Sequence, residues 1–200
     1  MIVLLYVEGD TEQAALPDFF RRWLLGKGSD LQIKAVNFNG VGSYLREFSK
    51  RARRDLSGTY ILGIIGLIDL YGSQLSYPTG STHEKYSWAK SELEQRVGDQ
   101  RFRQHFAVHE TEAWLLSGEK LFPPAIDIRL PKTPPEGVNF QNPPATLLQQ
   151  MCSTHLDRNY GKRVDGTELF GKLDPDSTYD RCPHLKLLLD DLLALAKRVV

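Results

Sequence analysis

The most hydrophobic run of this 200-residue chain constrains its fold more than any other segment. Tyr60 to Ile68 carries few polar atoms on either side, which is typical of a central parallel strand that helices cover on both faces. A second apolar run, Ile2 to Val7, is too short for a buried helix and is rich in β-formers. These two runs predict an α/β protein with a mainly parallel sheet.

Apolar residues at helical spacing alternate with these strands along the chain. After the first strand they predict a helix that either kinks at Pro17 or begins there, because proline lacks the amide hydrogen that a helix interior needs. Ser43 is a candidate cap for the next helix. Further strands are predicted at residues 31–38 and 102–108, and further helices at 45–56 and 83–97. The pattern predicts a four-stranded sheet flanked by helices.

The length and the proline distribution indicate how the chain is divided. Two hundred residues favour one domain overall, with an α/β core at 1–120 and a C-terminal extension at 121–200 that packs on it. Seven of the eleven prolines lie between Pro123 and Pro144, so this part is predicted to be either a functional lid or a disordered connector. A leucine stripe that starts at Pro183 predicts a terminal helix.

The composition indicates which compartment and which partners to expect for this protein. The chain has 25 lysines and arginines against 25 aspartates and glutamates, so a polyanion would need a local basic patch. Two cysteines do not indicate a disulfide scaffold, and they are expected to be buried thiols. A soluble, cytoplasmic protein without a membrane partner is expected, since no leader or membrane span is apparent. The candidate track for a polynucleotide backbone is Lys50, Arg51, Arg53, Arg54, Arg21 and Arg22.

Acidic residues follow three of the predicted strands. Glu8 and Glu12 follow the first, Asp69 the central one, and Glu110 and Glu112 the fourth. In an open α/β sheet, ligands bind outside the carboxyl ends of the strands, so these side chains are expected to converge. Grouped carboxylates repel one another, and a hard divalent cation relieves the repulsion. The pattern predicts a site for Mg²⁺ or Mn²⁺, whereas each acid taken alone is more often a solvated turn residue or a helix cap.

Four short motifs in order along the chain resemble a known family. Val7-Glu8-Gly9-Asp10-Thr11-Glu12 is similar to the glutamate motif that opens Toprim domains, which occur in topoisomerases, primases, RNA-maturation nucleases and overcoming-lysogenization-defect nucleases. The chain most resembles a family of short Toprim-like proteins, domain of unknown function 4276. The other three motifs of that family are matched by Asp69 to Gly72, by His109 to Ala113 and by Cys182 to His184.

This resemblance implies a Toprim-like α/β fold and a Mg²⁺-dependent nuclease that hydrolyses phosphodiester bonds of DNA or RNA. Glu8 matches the family's acid/base or metal-binding glutamate, and Asp69 matches its first aspartate. Lys162 is a candidate cation for the scissile phosphate, although a polar turn of this kind is more often plain surface. The resemblance also implies a partner ATPase of the ABC or AAA type, in phage defence or DNA maintenance.

One position departs from the Toprim pattern and keeps other functions open. Tyr71 stands where a second aspartate is usual, so Glu110 or Glu112 would have to replace the missing ligand. One alternative is a non-catalytic module that binds nucleic acid or regulates a partner. Another is a receiver-like phosphoryl-transfer domain with Asp69 as phosphoacceptor. Tyr71, Tyr77 and Trp88 are candidates for stacking on bases.

Overall fold

A parallel sheet of four strands forms the centre of the molecule. The computed structural model describes residues 1–137 and 139–199, and in them the strand order is β2-β1-β3-β4 with every pair parallel. The predicted fold class, an α/β protein with a parallel four-stranded sheet between helices, is confirmed. The strands are β1 (Ile2–Val7), β2 (Gln32–Asn37), β3 (Ile61–Asp69) and β4 (Phe102–Ala107).

Helices connect the strands and continue beyond the sheet. Those that connect consecutive strands are α1 (Asp10–Gly26), α2 (Val41–Leu56) and α3 (Thr82–Val97). Those that follow β4 are α4 (Glu112–Leu115), α5 (Pro124–Asp127), α6 (Pro144–Leu156), α7 (Lys162–Lys172), α8 (Pro175–Arg181) and α9 (Pro183–Ala196), with a final 3₁₀ turn at Lys197–Val199. None of the helices in the described ranges is both long and apolar enough to cross a bilayer.

The side chains of β1 alternate between two hydrophobic clusters, one on each face of the sheet. Val3, Leu5 and Val7 pack with α1, α9 and the buried residues of the segments after β4. Leu4 and Tyr6 pack with α2 and α3 on the opposite face. Because consecutive side chains of a strand point to opposite faces, this apolar strand needs helices on both sides.

Two helix starts differ from the predictions. Helix α1 begins at Asp10, so the alternative start at Pro17 is wrong, and Pro17 lies inside the helix. The missing amide of Pro17 would have bonded the carbonyl of Gln13, a residue exposed to water, which lowers the cost of the lost bond. Helix α2 begins at Val41 with Gly40 as its N-cap, so Ser43 is not the cap.

The proline-rich segment is fastened to the core at Glu136. Its buried carboxylate accepts hydrogen bonds from the indole N–H of Trp114 at 3.1 Å and from the backbone amides of His184 and Leu185 at 2.8 and 3.0 Å. These amides belong to the first turn of α9, where a negative charge is favourable.

Both cysteines are buried free thiols, as the sequence predicts.

A polar network lies beside the edge strand β4. The buried ring of His105 contacts the Tyr86 hydroxyl through Nδ1 at 2.7 Å and the Asp191 carboxylate through Nε2 at 3.0 Å. Since a carboxylate only accepts, Nε2 carries the proton and Nδ1 accepts from Tyr86. Burial, aided by the nearby charge of Lys90, lowers the pKa of His105 to about 4, against the opposing effect of Asp191.

We expect His105 to make the stability of the protein depend on pH. The unfolded chain takes up this proton near pH 6.5, whereas the folded protein does so near pH 4. Between these values the unfolded state binds more protons, so the free energy of unfolding falls with falling pH by up to about 1.4 kcal/mol per pH unit. Urea unfolding at about pH 7 and pH 5 measures this loss, which should shrink in His105→Gln. The matched control is the exposed His155→Gln, and equal pH dependence in all three proteins would contradict the assignment.

Candidate active site

The exit of β1 places two carboxylates at the carboxyl edge of the sheet. Glu8 directly follows the strand, and Glu12 lies in the first turn of α1. A Cβ atom on Gly9 would lie only 2.8 Å from Oε2 of Glu12. Glycine at this position therefore lets the Glu12 carboxylate fold back towards the strand exit.

Asp69 ends the neighbouring strand β3, which pairs with β1 on one side and β4 on the other. The side chain is partly buried. Burial raises its pKa well above the usual range, and the charges of Glu8, Glu12, Glu112 and Glu110 raise it further. The central aspartate is therefore close enough to the four other predicted acids for their charges to act on its pKa.

The exit of β4 turns sharply and supplies the remaining acids. His109 has φ of 75°, an uncommon conformation for a non-glycine residue that redirects the chain after the strand. Glu110 then accepts a hydrogen bond from the backbone amide of Ala145 at 2.9 Å, in the first turn of α6. The Thr111 hydroxyl is 3.4 Å from Oε1 of Glu12, which joins the exits of β4 and β1.

Lys162, the first residue of α7, reaches into this group of acids. Its Nζ atom lies 3.6 Å from Oε1 of Glu110 and 3.4 Å from Oε1 of Glu112. Burial would lower the pKa of Lys162, but the charges of Glu112 and Glu110 outweigh it and raise the pKa. The lysine therefore stays charged and neutralises part of the acidic group.

Two further acids at this edge, Glu8 and Glu112, also have raised pKa values. Burial and then the charge of Glu12 raise the pKa of Glu8 to about 7, against the opposing effects of the Asp69 backbone amide and Lys162. Burial also raises the pKa of Glu112, whereas the charge of Lys162 lowers it. Carboxylates with raised pKa values at one edge are the arrangement that a divalent cation relieves.

The donor set fits a hard cation, but the side chains do not enclose one as they stand. Across the described ranges, no three His, Cys, Asp or Glu side chains are grouped so that they could hold a metal ion. Oxygen donors from Glu8, Glu12 and Asp69 are the type that Mg²⁺ and Mn²⁺ prefer. The buried Tyr160 hydroxyl has no hydrogen-bond partner among the described residues, and burial, followed by the charges of Glu112 and Glu110, raises its pKa. It adds an unused donor near the site.

The predicted basic track does not lie at this edge. Arg22 donates to the carbonyl oxygens of Phe170 and Leu173 at the end of α7. Helix α2 starts beside Glu8 but ends where Arg101 reaches the carbonyl of Leu56, near the start of β4. The basic residues of its second half therefore lie towards the opposite end of the sheet.

Two residues near the site escape prediction from the sequence. Phe140 packs its ring against Tyr71, with ring centroids 4.9 Å apart, and against His109 at 5.2 Å. Ala145 contributes only its amide, which no side-chain pattern can reveal. Of the predicted stacking residues, Tyr77 and Trp88 pack against each other, 6.0 Å between ring centroids.

The fold and its acid-lined edge define an α/β protein with a candidate catalytic centre where its parallel strands end. The chain matches the family described as Domain of unknown function (DUF4276) over residues 7–193, and it belongs to that family. This match confirms the family that the four motifs indicate.

Among solved structures, the chain is similar to the C-terminal region of the Xanthomonas campestris pv. campestris OLD protein. The structure phased with mercury has 16% identity and a TM-score of 0.47, and covers 98% of this chain and 95% of that chain. The structure phased with iodine has 16% identity and a TM-score of 0.46, and the match covers 98% of this chain and 94% of the OLD chain. No curated protein matches the chain.

We expect Asp69→Asn to stabilise the protein when divalent cations are absent. The substitution keeps the shape of the side chain and removes a partly buried charge that four carboxylates repel. The gain should be on the order of 1–3 kcal/mol at about pH 8 and should shrink as the pH falls towards the usual aspartate pKa of about 3.9, because an acid with a raised pKa costs the fold more as pH rises. Urea unfolding in EDTA measures it, with the exposed Glu47→Gln as the control. Destabilisation of Asp69→Asn at pH 8 would contradict the repulsion.

Proposed function

We propose that the protein is a Mg²⁺- or Mn²⁺-dependent nuclease that hydrolyses phosphodiester bonds of DNA or RNA. The observation that carries the proposal is the convergence of Glu8, Glu12 and Asp69 at one sheet edge, with Glu110, Glu112 and Lys162 beside them. Membership of a family whose motifs resemble Toprim domains supports the same reaction class.

The residues divide into three roles. Asp69 and one of Glu8 and Glu12 would hold the cation, and Glu112 or Glu110 would replace the acid that is missing at Tyr71. A bound Mg²⁺ would polarise a phosphoryl oxygen and lower the pKa of an attacking water. Whichever of Glu8 and Glu12 does not bind the cation is placed to accept the proton of that water.

Lys162 would stabilise charge on the scissile phosphate. Its side chain is 52% exposed, so the ammonium can leave Glu110 and Glu112 for a phosphate without leaving its helix. In the free protein the same ammonium offsets the repulsion between these two acids. One lysine would thus serve the stability of the free site and the reaction.

A non-catalytic module that binds nucleic acid is the second candidate. It is favoured by Tyr71, whose hydroxyl lies 2.9 Å from the Thr82 hydroxyl and whose ring packs on Phe140. Since Tyr71 has no carboxylate and its side chain is held by these contacts, the site lacks the second acid of the usual Toprim motif at this position. An ATPase partner of the ABC or AAA type, and a role in phage defence or DNA maintenance, belong to the proposal under either function.

We expect cleavage of nucleic acid that requires the cation and the acids. The protein should cleave single- or double-stranded DNA or RNA in Mg²⁺ or Mn²⁺, and Glu8→Gln and Asp69→Asn should each lower the rate by about a hundredfold or more. Gel assays with and without EDTA, and with and without an ATPase encoded beside the protein, measure this.

The other outcomes separate the alternatives. Cleavage that survives in one of these variants removes that residue from the mechanism. Binding without cleavage in every metal favours the non-catalytic module. An acid-labile phosphate on Asp69 favours the receiver-like alternative.

We expect Lys162→Met to lower the cleavage rate by about ten- to a hundredfold, since one preorganised cation facing a charged transition state contributes at this level. The control is Lys172→Met at the other end of α7, where the lysine pairs with Glu168. Equal rates for the two variants would exclude Lys162 from the reaction, and rates at several substrate concentrations separate binding from chemistry.

A further inference from the structure

An exposed aromatic ring stands beside the acidic edge on a turn of the proline-rich segment. The Phe140 side chain is 63% exposed. Its ring packs edge-on against Tyr71, 4.9 Å between centroids at 87°, and tilted against His109, 5.2 Å between centroids. Single exposed hydrophobic residues are ordinary on protein surfaces. This one differs because aromatic side chains from two strand exits hold it in place.

The positions of the two supporting rings tie this aromatic group to the acids. Tyr71 follows Asp69 by two residues, and His109 immediately precedes Glu110. The backbone of His109 has φ of 75°, which turns the chain between the strand and the acid. Phe140 therefore rests on the same two chain turns that deliver carboxylates to the candidate catalytic centre.

The turn that carries Phe140 is held by specific hydrogen bonds. His109 donates from Nε2 to the carbonyl oxygen of Asn139 at 3.1 Å. The side-chain oxygen of Asn139 accepts from the amides of Gln141 and Asn142 at 3.1 and 3.3 Å. Before this turn in the chain, Glu136 fastens the segment by accepting hydrogen bonds from Trp114 and from the first turn of α9. An aromatic ring that is already oriented loses little entropy when a flat ligand stacks on it.

Positive charge lies next to the aromatic rings. The ammonium of Lys85 is 5.8 Å from the centroid of the Tyr71 ring. Lys162 stands among the acids that follow His109. Aromatic faces next to cations are the combination with which proteins bind the bases and phosphates of unpaired polynucleotide strands.

We propose that Phe140, supported by Tyr71 and His109, is a stacking platform for an unpaired nucleobase next to the scissile phosphate, and that the substrate is single-stranded DNA or RNA or a single-stranded end. This inference rests on the proposed function and narrows its substrate. Bases inside a duplex are stacked on one another, so their faces cannot reach the ring.

The test measures binding without cleavage. Fluorescence anisotropy of a labelled thymidine oligomer of about 12 nucleotides, within the range that single-strand sites cover, is measured with Glu8→Gln protein in Mg²⁺. A matching oligomer with abasic positions keeps the phosphates and removes the bases. We expect the abasic oligomer and the duplex to bind about fivefold or more weakly, the lower end of what one base stack contributes.

Substitutions then separate stacking from apolar contact and from folding. Phe140→Leu should abolish the preference for the oligomer with bases, and Phe140→Trp should keep it. Tyr60→Leu is the matched control, because Tyr60 is 77% exposed and directly precedes β3, at the far end of the sheet. Equal thermal midpoints for the four proteins exclude loss of fold as the cause. Uridine oligomers in parallel decide between DNA and RNA.

The results distinguish the platform from the nuclease. Equal affinity for the two single strands, an unchanged preference in Phe140→Leu, or no binding of either would overturn the platform, even if the wild-type protein cleaves nucleic acid. If the preference is lost only in Phe140→Leu and the wild-type protein cleaves no nucleic acid in any metal, the platform is supported and the nuclease is overturned.

Discussion

The repulsion between carboxylates at one edge of the sheet is the constraint on which the site depends. Parallel strands end on the same side, so the topology forces Glu8, Asp69 and the acids after β4 together whatever their cost. Burial makes that cost larger because the charges lose hydration. The molecule offsets part of it with the ammonium of Lys162, which the chain brings from the C-terminal helices. A cation that binds there would relieve the repulsion that remains.

The C-terminal segments support this edge from one side of the sheet. Helix α7 packs along α1, where a Cβ on Gly166 would lie 3.3 Å from the side chain of Thr11. This close approach sets the start of α7, and with it Lys162, against the exits of β1 and β4. The Glu136 contacts hold the proline-rich segment on the start of α9. Residues far from the acids in sequence therefore determine the charge and shape of the site.

Much of the fold could be predicted because its signals are local. The strands were readable from apolar runs that need cover on both faces, and the acids from their places after those runs. Helix α6 was not, because Pro143 and Pro144 read equally as a loop or as the first turn of a helix. The start of α1 could not be decided from Pro17 either, since the cost of a proline inside a helix depends on whether the unbonded carbonyl reaches water.

The sequence by itself determined which strands carry carboxylates at their ends and which family the chain belongs to, since both are written in short contiguous motifs. Only the tertiary structure decided that Lys162, from a polar turn that looks like ordinary surface, meets Glu110 and Glu112. The same is true of Phe140, whose partner Tyr71 lies on another turn. Contacts between distant segments depend on how helices pack across the sheet, and no local pattern of residues records that packing.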